Sequence, residues 1–186
     1  MHDIKIVSPT SQQYFRYRAV AIILQDSHFL MNSCDSSTDY WTLGGAVQIG
    51  ETAEEAIKRE VFEEAELNIT SARKIAIAEI FYPHVAPGLE GFLYHEVMVI
   101  FLVSVKENLI VGERITGHTA ENDAQEYLDW IPVTSLETFR GKKIYPSKIL
   151  QQIITRILEG KLEFVSLVHR SNELNLINPL VEANNN

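Results

Sequence analysis

Cysteine is almost absent from the sequence: Cys34 is the single cysteine in 186 residues. One cysteine cannot form a disulfide within the chain, which excludes the class of small domains stapled by disulfides. We interpret Cys34 as a buried or loop thiol rather than a nucleophile, because no residue near it in the sequence would activate it. The lack of disulfides favours a reducing compartment.

Long apolar segments are missing as well. The longest apolar run, from Val97 to Val103, is far shorter than the ~20 residues that a transmembrane helix needs. The first residues, "MHDIKIVSPTSQQYF", contain no apolar stretch typical of a signal peptide. We therefore expect a soluble cytoplasmic protein that does not interact with a membrane.

Positive charge is scarce relative to negative charge. The 16 lysines and arginines are outnumbered by 25 aspartates and glutamates, which gives a formal net charge of −9. This balance disfavours duplex nucleic acid as a partner, and it also disfavours a hydrolase that processes RNA ends. A small anionic ligand remains compatible with the sequence if local cationic groups or a metal ion bind it.

The apolar pattern predicts one domain over residues 1–170 and a polar C-terminal tail over residues 171–186. Helices are predicted over 52–66 and 147–160, and residues 106–125 are expected to be mostly irregular. Strands are predicted over residues 18–24, 28–33, 40–43, 73–82, 92–105 and 126–131, with a late edge strand within 161–170. Because these strands do not alternate strictly with helices, we expect an α/β (α+β) fold with a mixed sheet between helices.

The first predicted helix is unusually acidic. The segment from Gly45 to Leu67, "GAVQIGETAEEAIKREVFEEAEL", contains seven glutamates. Thr52 and Glu55 form a capping box at its start. An apolar stripe faces the sheet and consists of Ala53, Ala56, Ile57, Val61 and Ala65.

Three of these glutamates share one patch of the helix surface. Glu60, Glu63 and Glu64 are spaced i, i+3 and i+4, and such neighbours have Cβ atoms about 5–6 Å apart. Arg59 offsets part of their repulsion but cannot balance all three. Either this face is simply solvated, or it binds a hard divalent cation such as Mg²⁺ or Mn²⁺, which prefers oxygen ligands.

The same segment resembles a known motif. Its pattern, G-x5-E-x7-R-E-V-x-E-E-x-E-L, is similar to the Nudix box, G-x5-E-x7-R-E-U-x-E-E-x-G-U, in which U is aliphatic. Glu66 stands where the box has its second glycine, a residue that commonly ends a helix in the left-handed conformation. The resemblance covers roughly residues 17–158 and implies the Nudix-type α/β/α sandwich.

The resemblance also implies roles for individual residues. Glu60 and Glu64, then Glu63, are expected to bind Mg²⁺ or Mn²⁺, and the Gly44 carbonyl is expected to complete the ligand set. Glu63 or another acid would take a proton from water, and Arg59 would organise the glutamates. Glu121 is the candidate for a further acid from a later loop.

Other residues are open to two interpretations. His95 and Glu96 begin the longest apolar strand and either one could face a substrate, although a rim position is the simpler explanation for His95. Candidates for phosphate contact or base stacking are Arg16, Arg18, Trp41, Phe81 and Tyr82. Packing in the core is the simpler role for the three aromatic residues.

The resemblance implies a metal-dependent pyrophosphohydrolase. Its substrate would be a small-molecule nucleoside diphosphate derivative: a nucleoside diphosphate sugar, ADP-ribose or a modified nucleoside triphosphate. Pro83, sixteen residues beyond Leu67, is similar in placement to ADP-ribose-cleaving members. The alternative is a catalytically silent Nudix-like module that senses a ligand or binds a partner. A homodimer is compatible with the family.

Overall fold

The structure is a computed structural model that describes residues 2–83, 91–119 and 125–170. Within these ranges the chain forms twelve strands and two helices. The strands are β1 (Lys5–Ser8), β2 (Gln13–Ile22), β3 (Leu24–Gln25), β4 (His28–Cys34), β5 (Asp39–Thr42), β6 (Ile69–Pro83), β7 (Leu93–Val105), β8 (Ile115–Thr119), β9 (Gln125–Pro132), β10 (Thr138–Phe139), β11 (Lys142–Tyr145) and β12 (Val165–Arg170). The helices are α1 (Ala53–Ala65) and α2 (Ser147–Leu158).

The strands form two mixed sheets. The first has the order β1-β2-β7-β6-β12, in which β2 pairs parallel with β7 and β12 pairs parallel with β6. The second has the order β10-β11-β5-β4-β9-β8, and β3 also pairs with β4. The mixed α/β fold predicted from the sequence is confirmed, with its strands divided between two sheets.

Two apolar clusters cover the two faces of the first sheet. Alternate residues of β2 separate them: Ala19 and Ala21 belong to the cluster under α1, whereas Val20 and Ile22 belong to the cluster under α2. Successive side chains of a strand point to opposite faces, so a strand buried on both faces is apolar throughout. This explains the run "RAVAIIL" in the sequence.

Both helices lie where the sequence predicts them. α1 buries the predicted stripe, and Thr52 and Glu55 form the capping box. Glu66 follows the helix with φ of 55°, so it adopts the left-handed conformation without being glycine. In α2, Ile149, Leu150, Ile153 and Ile154 are buried, whereas Leu158 at the end of the helix is exposed.

Some local predictions differ from the structure. Residues 106–125 are predicted to be mostly irregular, yet 115–119 form β8, which pairs with β9. The short strands β1, β10 and β11 have too few alternating residues to be recognised from the sequence, and pairing with neighbouring strands defines them. The predicted tail 171–186 lies outside the described residues. No helix within the described ranges is long and apolar enough to cross a membrane.

Candidate active site

Arg59 lies at the centre of a carboxylate network on α1. Its Nε and Nη2 donate to the two oxygens of Glu51, each at 2.9 Å, which makes a bidentate pair. Its Nη1 donates to Glu60 at 2.7 Å and to Glu63 at 3.0 Å. The hydrogen bonds from Arg59 lower the pKa of Glu51, although partial burial opposes them. One guanidinium therefore holds three of the glutamates that the motif places on this face.

Glu64 is held differently from the other glutamates of this helix. Its Oε2 accepts a hydrogen bond from the backbone N–H of Gly44 at 2.8 Å. Burial raises the pKa of Glu64 to about 8, against the opposing effects of the Gly44 hydrogen bond and the charge of Arg18. Burial therefore outweighs the hydrogen bond and the positive charge near this carboxyl group.

The glycine pair lets the backbone lie against this helix. Gly44 has φ of +111°, and a Cβ there would lie 2.2 Å from the carbonyl oxygen of Ala19. A Cβ on Gly45 would lie 2.3 Å from the Glu60 carboxylate. Any larger residue at either position would therefore displace the strand or the carboxylate.

Arg18 binds the same turn from the opposite side. This side chain is 5% exposed. Its Nη2 donates to the carbonyl oxygens of Thr42 and Gly44, each at 2.6 Å, and its Nε also donates to Gly44 at 3.1 Å. The role of the Gly44 carbonyl as a metal ligand stays a prediction, since in this structure that oxygen accepts hydrogen bonds from Arg18. In the sequence, Arg18 is recognisable only as a charged residue at the start of an apolar strand.

The donor chemistry of this face fits a hard divalent cation. Glu60, Glu63 and Glu64 supply oxygen ligands of the kind that Mg²⁺ and Mn²⁺ prefer. No group of three or more potential ligands among the described residues has the geometry of a metal site. The reason is visible in the contacts: Arg59 binds Glu60 and Glu63, while Glu64 turns toward Gly44.

A second polar group lies on the first sheet, beyond Arg18. Arg16 and Glu96 are directly paired across β2 and β7, and Arg16 Nη1 lies 3.9 Å from Glu96 Oε1. Next to them, the Tyr14 and Tyr94 rings are stacked with centroids 4.6 Å apart. Tyr82 packs against Tyr94 at 4.7 Å. The sequence indicates Arg16, Tyr82 and Glu96 as separate candidates, but it does not predict that they lie close together.

The remaining candidates lie elsewhere. His95 stacks on Phe81 at 4.2 Å and contacts Glu79 at 3.2 Å, on the face of the sheet opposite Glu96. Trp41 lies half-buried in β5, paired with Asn32 of β4.

The later loop is only partly described. Glu121 lies outside the described residues. The nearby Glu126 is the second residue of β9, and its pKa is raised by burial, against the effect of His118, whose Nδ1 lies 3.9 Å away. Gly117 of β8 packs closely on α1, where a Cβ would lie 2.9 Å from the Glu64 carbonyl oxygen. This contact brings β8 to the end of the acidic helix.

The chain is similar to several known proteins. A family model of the NUDIX domain matches residues 15–152. The chain is 30% identical over 86 residues to an NAD-capped RNA hydrolase, NudC, of Edwardsiella ictaluri (strain 93-146), covering 44% of this chain and 34% of that protein. The chain thus spans about a third of the length of that curated relative.

Solved structures give the same fold. A MutT Nudix hydrolase from Burkholderia pseudomallei aligns with a TM-score of 0.51 and 18% identity, covering 74% of this chain and 96% of that one. A MutT protein from Bacillus halodurans aligns with a TM-score of 0.55 and 12% identity, covering 85% and 92%. At these identities the likeness shows the fold alone. Because the family model matches most of the chain and the Nudix box lies within that match, the chain belongs to the Nudix family.

Proposed function

We propose that this chain is a metal-dependent pyrophosphohydrolase that cleaves a nucleoside diphosphate linked to another moiety. The observation that carries the proposal is the set of carboxylates that Arg59 and the Gly44–Gly45 turn hold on one face of α1. Family membership and the hydrolase relatives support the reaction class. The name of the NudC relative mentions NAD, so dinucleotides joined through a diphosphate are also worth testing as substrates.

Glu60, Glu63 and Glu64 are the residues that would hold Mg²⁺ or Mn²⁺. When bound, the cation supplies Lewis-acid chemistry and neutralises charge along the diphosphate. Glu63, or Glu121 from the later loop, takes a proton from the attacking water. The water oxygen forms a bond to one phosphorus while the bridging P–O bond breaks, and the second phosphate leaves with that oxygen.

The arginines of the site have positioning roles. Arg59 keeps Glu51, Glu60 and Glu63 in one arrangement. Arg18 fixes the turn that presents the Gly44 N–H to Glu64, and Arg16 adds a cationic group two residues away on the same face of β2. These groups fit a small anionic ligand, and we propose no nucleic-acid duplex or membrane as a partner. We further propose a cytoplasmic location and assembly as a homodimer.

A silent ligand-binding module is the competing function. The chain retains Glu51, Glu60, Glu63 and Glu64, which a module without turnover would not need, and this favours the enzyme. The test is product release from ADP-ribose, NAD⁺, nucleoside diphosphate sugars and nucleoside triphosphates, in Mg²⁺, in Mn²⁺ and in chelator. Metal-dependent cleavage of any member supports the enzyme. Metal-dependent binding of a member without any cleavage would support the module instead.

A further inference from the structure

Glu96 is a buried carboxylate with an unsatisfied oxygen. The residue is 1% exposed, and its Oε1 has no hydrogen-bond partner among the described residues. The nearest cationic atom, Arg16 Nη1, lies 3.9 Å away, too far for a hydrogen bond. Leaving a buried charged acceptor without a donor is costly, so such groups commonly have a ligand or a functional role.

Glu96 and Arg18 lie on the same face of the first sheet, the face that α2 covers. Arg18 pairs with Met98 across β2 and β7, and Arg16 pairs with Glu96 two residues away on the same face. Since two residues of a strand span roughly 6.6 Å, Glu96 lies one step along the sheet from the arginine that binds Gly44. A ligand whose phosphates lie near Arg18 would extend toward Glu96.

The tyrosines next to Glu96 favour hydrogen bonding over ring stacking. Tyr14 lies parallel to Tyr94 with an interplanar angle of 9°, and Tyr82 packs on the other side of Tyr94 at 32°. Because the three strands are neighbours, the rings stand side by side and cover each other's faces. A ligand beside Glu96 would therefore meet ring edges, a guanidinium and a carboxylate rather than an open ring face.

We propose that Glu96 is a specificity-determining residue that accepts hydrogen bonds from two adjacent donors on the substrate. The inference rests on the proposed function, since the diphosphate positions the ligand. A carboxylate offers two oxygens and no donor, so it selects neighbouring O–H or N–H groups. Two sources have this chemistry: vicinal hydroxyls of a sugar, and the N1–H and N2–H groups of guanine.

The experiment uses two matched substrate pairs and three proteins. One pair is GTP and ITP, which differ by the exocyclic amine. The other is ADP-glucose and its 2-deoxyglucose analogue, which differ by one hydroxyl. The proteins are wild type, Glu96→Gln and the control Glu79→Gln, which makes the same chemical change on the opposite face of the sheet at a half-exposed position.

Wild type is expected to favour the donor-bearing member of one pair by about 10- to 100-fold in kcat/KM, because the analogue leaves a buried acceptor unpaired. The sensitive pair identifies the source of the donors. Glu96→Gln, which has one acceptor and introduces a donor, is expected to reduce that preference to within about threefold. Glu79→Gln keeps it. The proposal would be overturned if wild type showed no preference in either pair. It would also be overturned if Glu96→Gln lost the same factor of kcat/KM on every substrate.

Binding separates this proposal from the proposed function. Calorimetric titration of metal-free protein with GMP, IMP, ADP-glucose and its deoxy analogue measures the preference without turnover. If nothing is hydrolysed but the binding preference is present and lost in Glu96→Gln, the enzyme proposal fails and this one stands. If Glu96→Gln does not fold, the test is the preference of wild type for the donor-bearing member of each pair. The absence of that preference in both pairs would overturn the role of Glu96.

Discussion

The three carboxylates that Arg59 binds and the carboxylate of Glu96 are stabilised in opposite ways. Glu51, Glu60 and Glu63 share one arginine at hydrogen-bond distance and retain access to solvent. Glu96 is buried, and its arginine stays 3.9 Å away. The first arrangement suits an ion that must enter and leave, whereas the second suits a fixed acceptor that recognises a ligand. Loss of the first should therefore affect every substrate, and loss of the second should affect selectivity.

The sharpest test of this difference is Glu64→Gln. We expect turnover to fall by about two to three orders of magnitude on every substrate, the scale seen when one electrostatic group of an active site is removed. The fold should persist, because the change is isosteric and replaces a half-buried carboxyl group whose pKa burial raises. Steady-state kinetics with the preferred substrate measures the effect.

Glu54→Gln is the control for this variant. Glu54 lies on the same helix, is exposed, and pairs with Lys58 at 2.7 Å. Its replacement should leave turnover within about twofold, since exposed pairs contribute little. Full activity in Glu64→Gln would show that the motif face is not the catalytic part of the site.

Arg59→Met tests whether one guanidinium organises the helix face. Removing it leaves Glu51, Glu60 and Glu63 without their shared donor, so we expect the free energy of unfolding to fall by roughly 1–3 kcal/mol. Urea denaturation in chelator measures this. Lys58→Met, one residue away and exposed, should change stability by less than about 0.5 kcal/mol. Equal losses of unfolding free energy in the two variants would contradict the organising role of Arg59.

The buried state of Glu64 predicts how metal-free stability depends on pH. Its pKa is raised from 4.5 to about 8, so the folded protein binds this proton more tightly than the unfolded chain does. The resulting stabilisation is fully present below about pH 4.5, declines as the pH rises, and is lost above about pH 8. Denaturation in chelator between pH 6 and pH 9 should therefore show falling stability for wild type.

Two comparisons isolate that contribution. Glu64→Gln should show a weaker decline over the same range, because the amide does not titrate. Saturating Mg²⁺ should also weaken the decline in wild type, since the bound cation favours the ionised carboxylate. Identical pH profiles for wild type and Glu64→Gln would rule out a buried proton at this position.

The smallest expected effect concerns the C-terminal end of α1. Glu66 has φ of 55°, a conformation that glycine adopts without steric cost. Glu66→Gly should raise the free energy of unfolding by roughly 0.5–1 kcal/mol and leave turnover unchanged. Glu66→Ala, which retains a Cβ, should give no such gain. A loss of stability in Glu66→Gly would show that the side chain has another role.

The helix-borne part of the site could be predicted from the sequence because its residues are local. The spacing of Glu60, Glu63 and Glu64, the capping box and the apolar stripe all follow from one helical period. The glycine pair was recognisable for the same reason, since Gly45 belongs to the same sequence motif as the helix.

The strand-borne part could not be predicted because pairing creates it. Arg16 and Glu96 are distant in sequence and become neighbours only through the parallel register of β2 and β7. The hydrogen bonds from Arg18 to the Gly44 carbonyl depend on the same long-range packing. β8 was missed because its pairing with β9, rather than its composition, defines it.

Binding of Mn²⁺ tests the central claim most directly, because it requires no knowledge of the substrate. Electron paramagnetic resonance titration would compare wild type, Glu64→Gln and Glu54→Gln at one pH. We expect wild type and Glu54→Gln to bind Mn²⁺ alike, and Glu64→Gln to bind at least tenfold more weakly. Equal binding by all three proteins, or no binding by wild type, would contradict the assignment of the α1 carboxylates as the metal site.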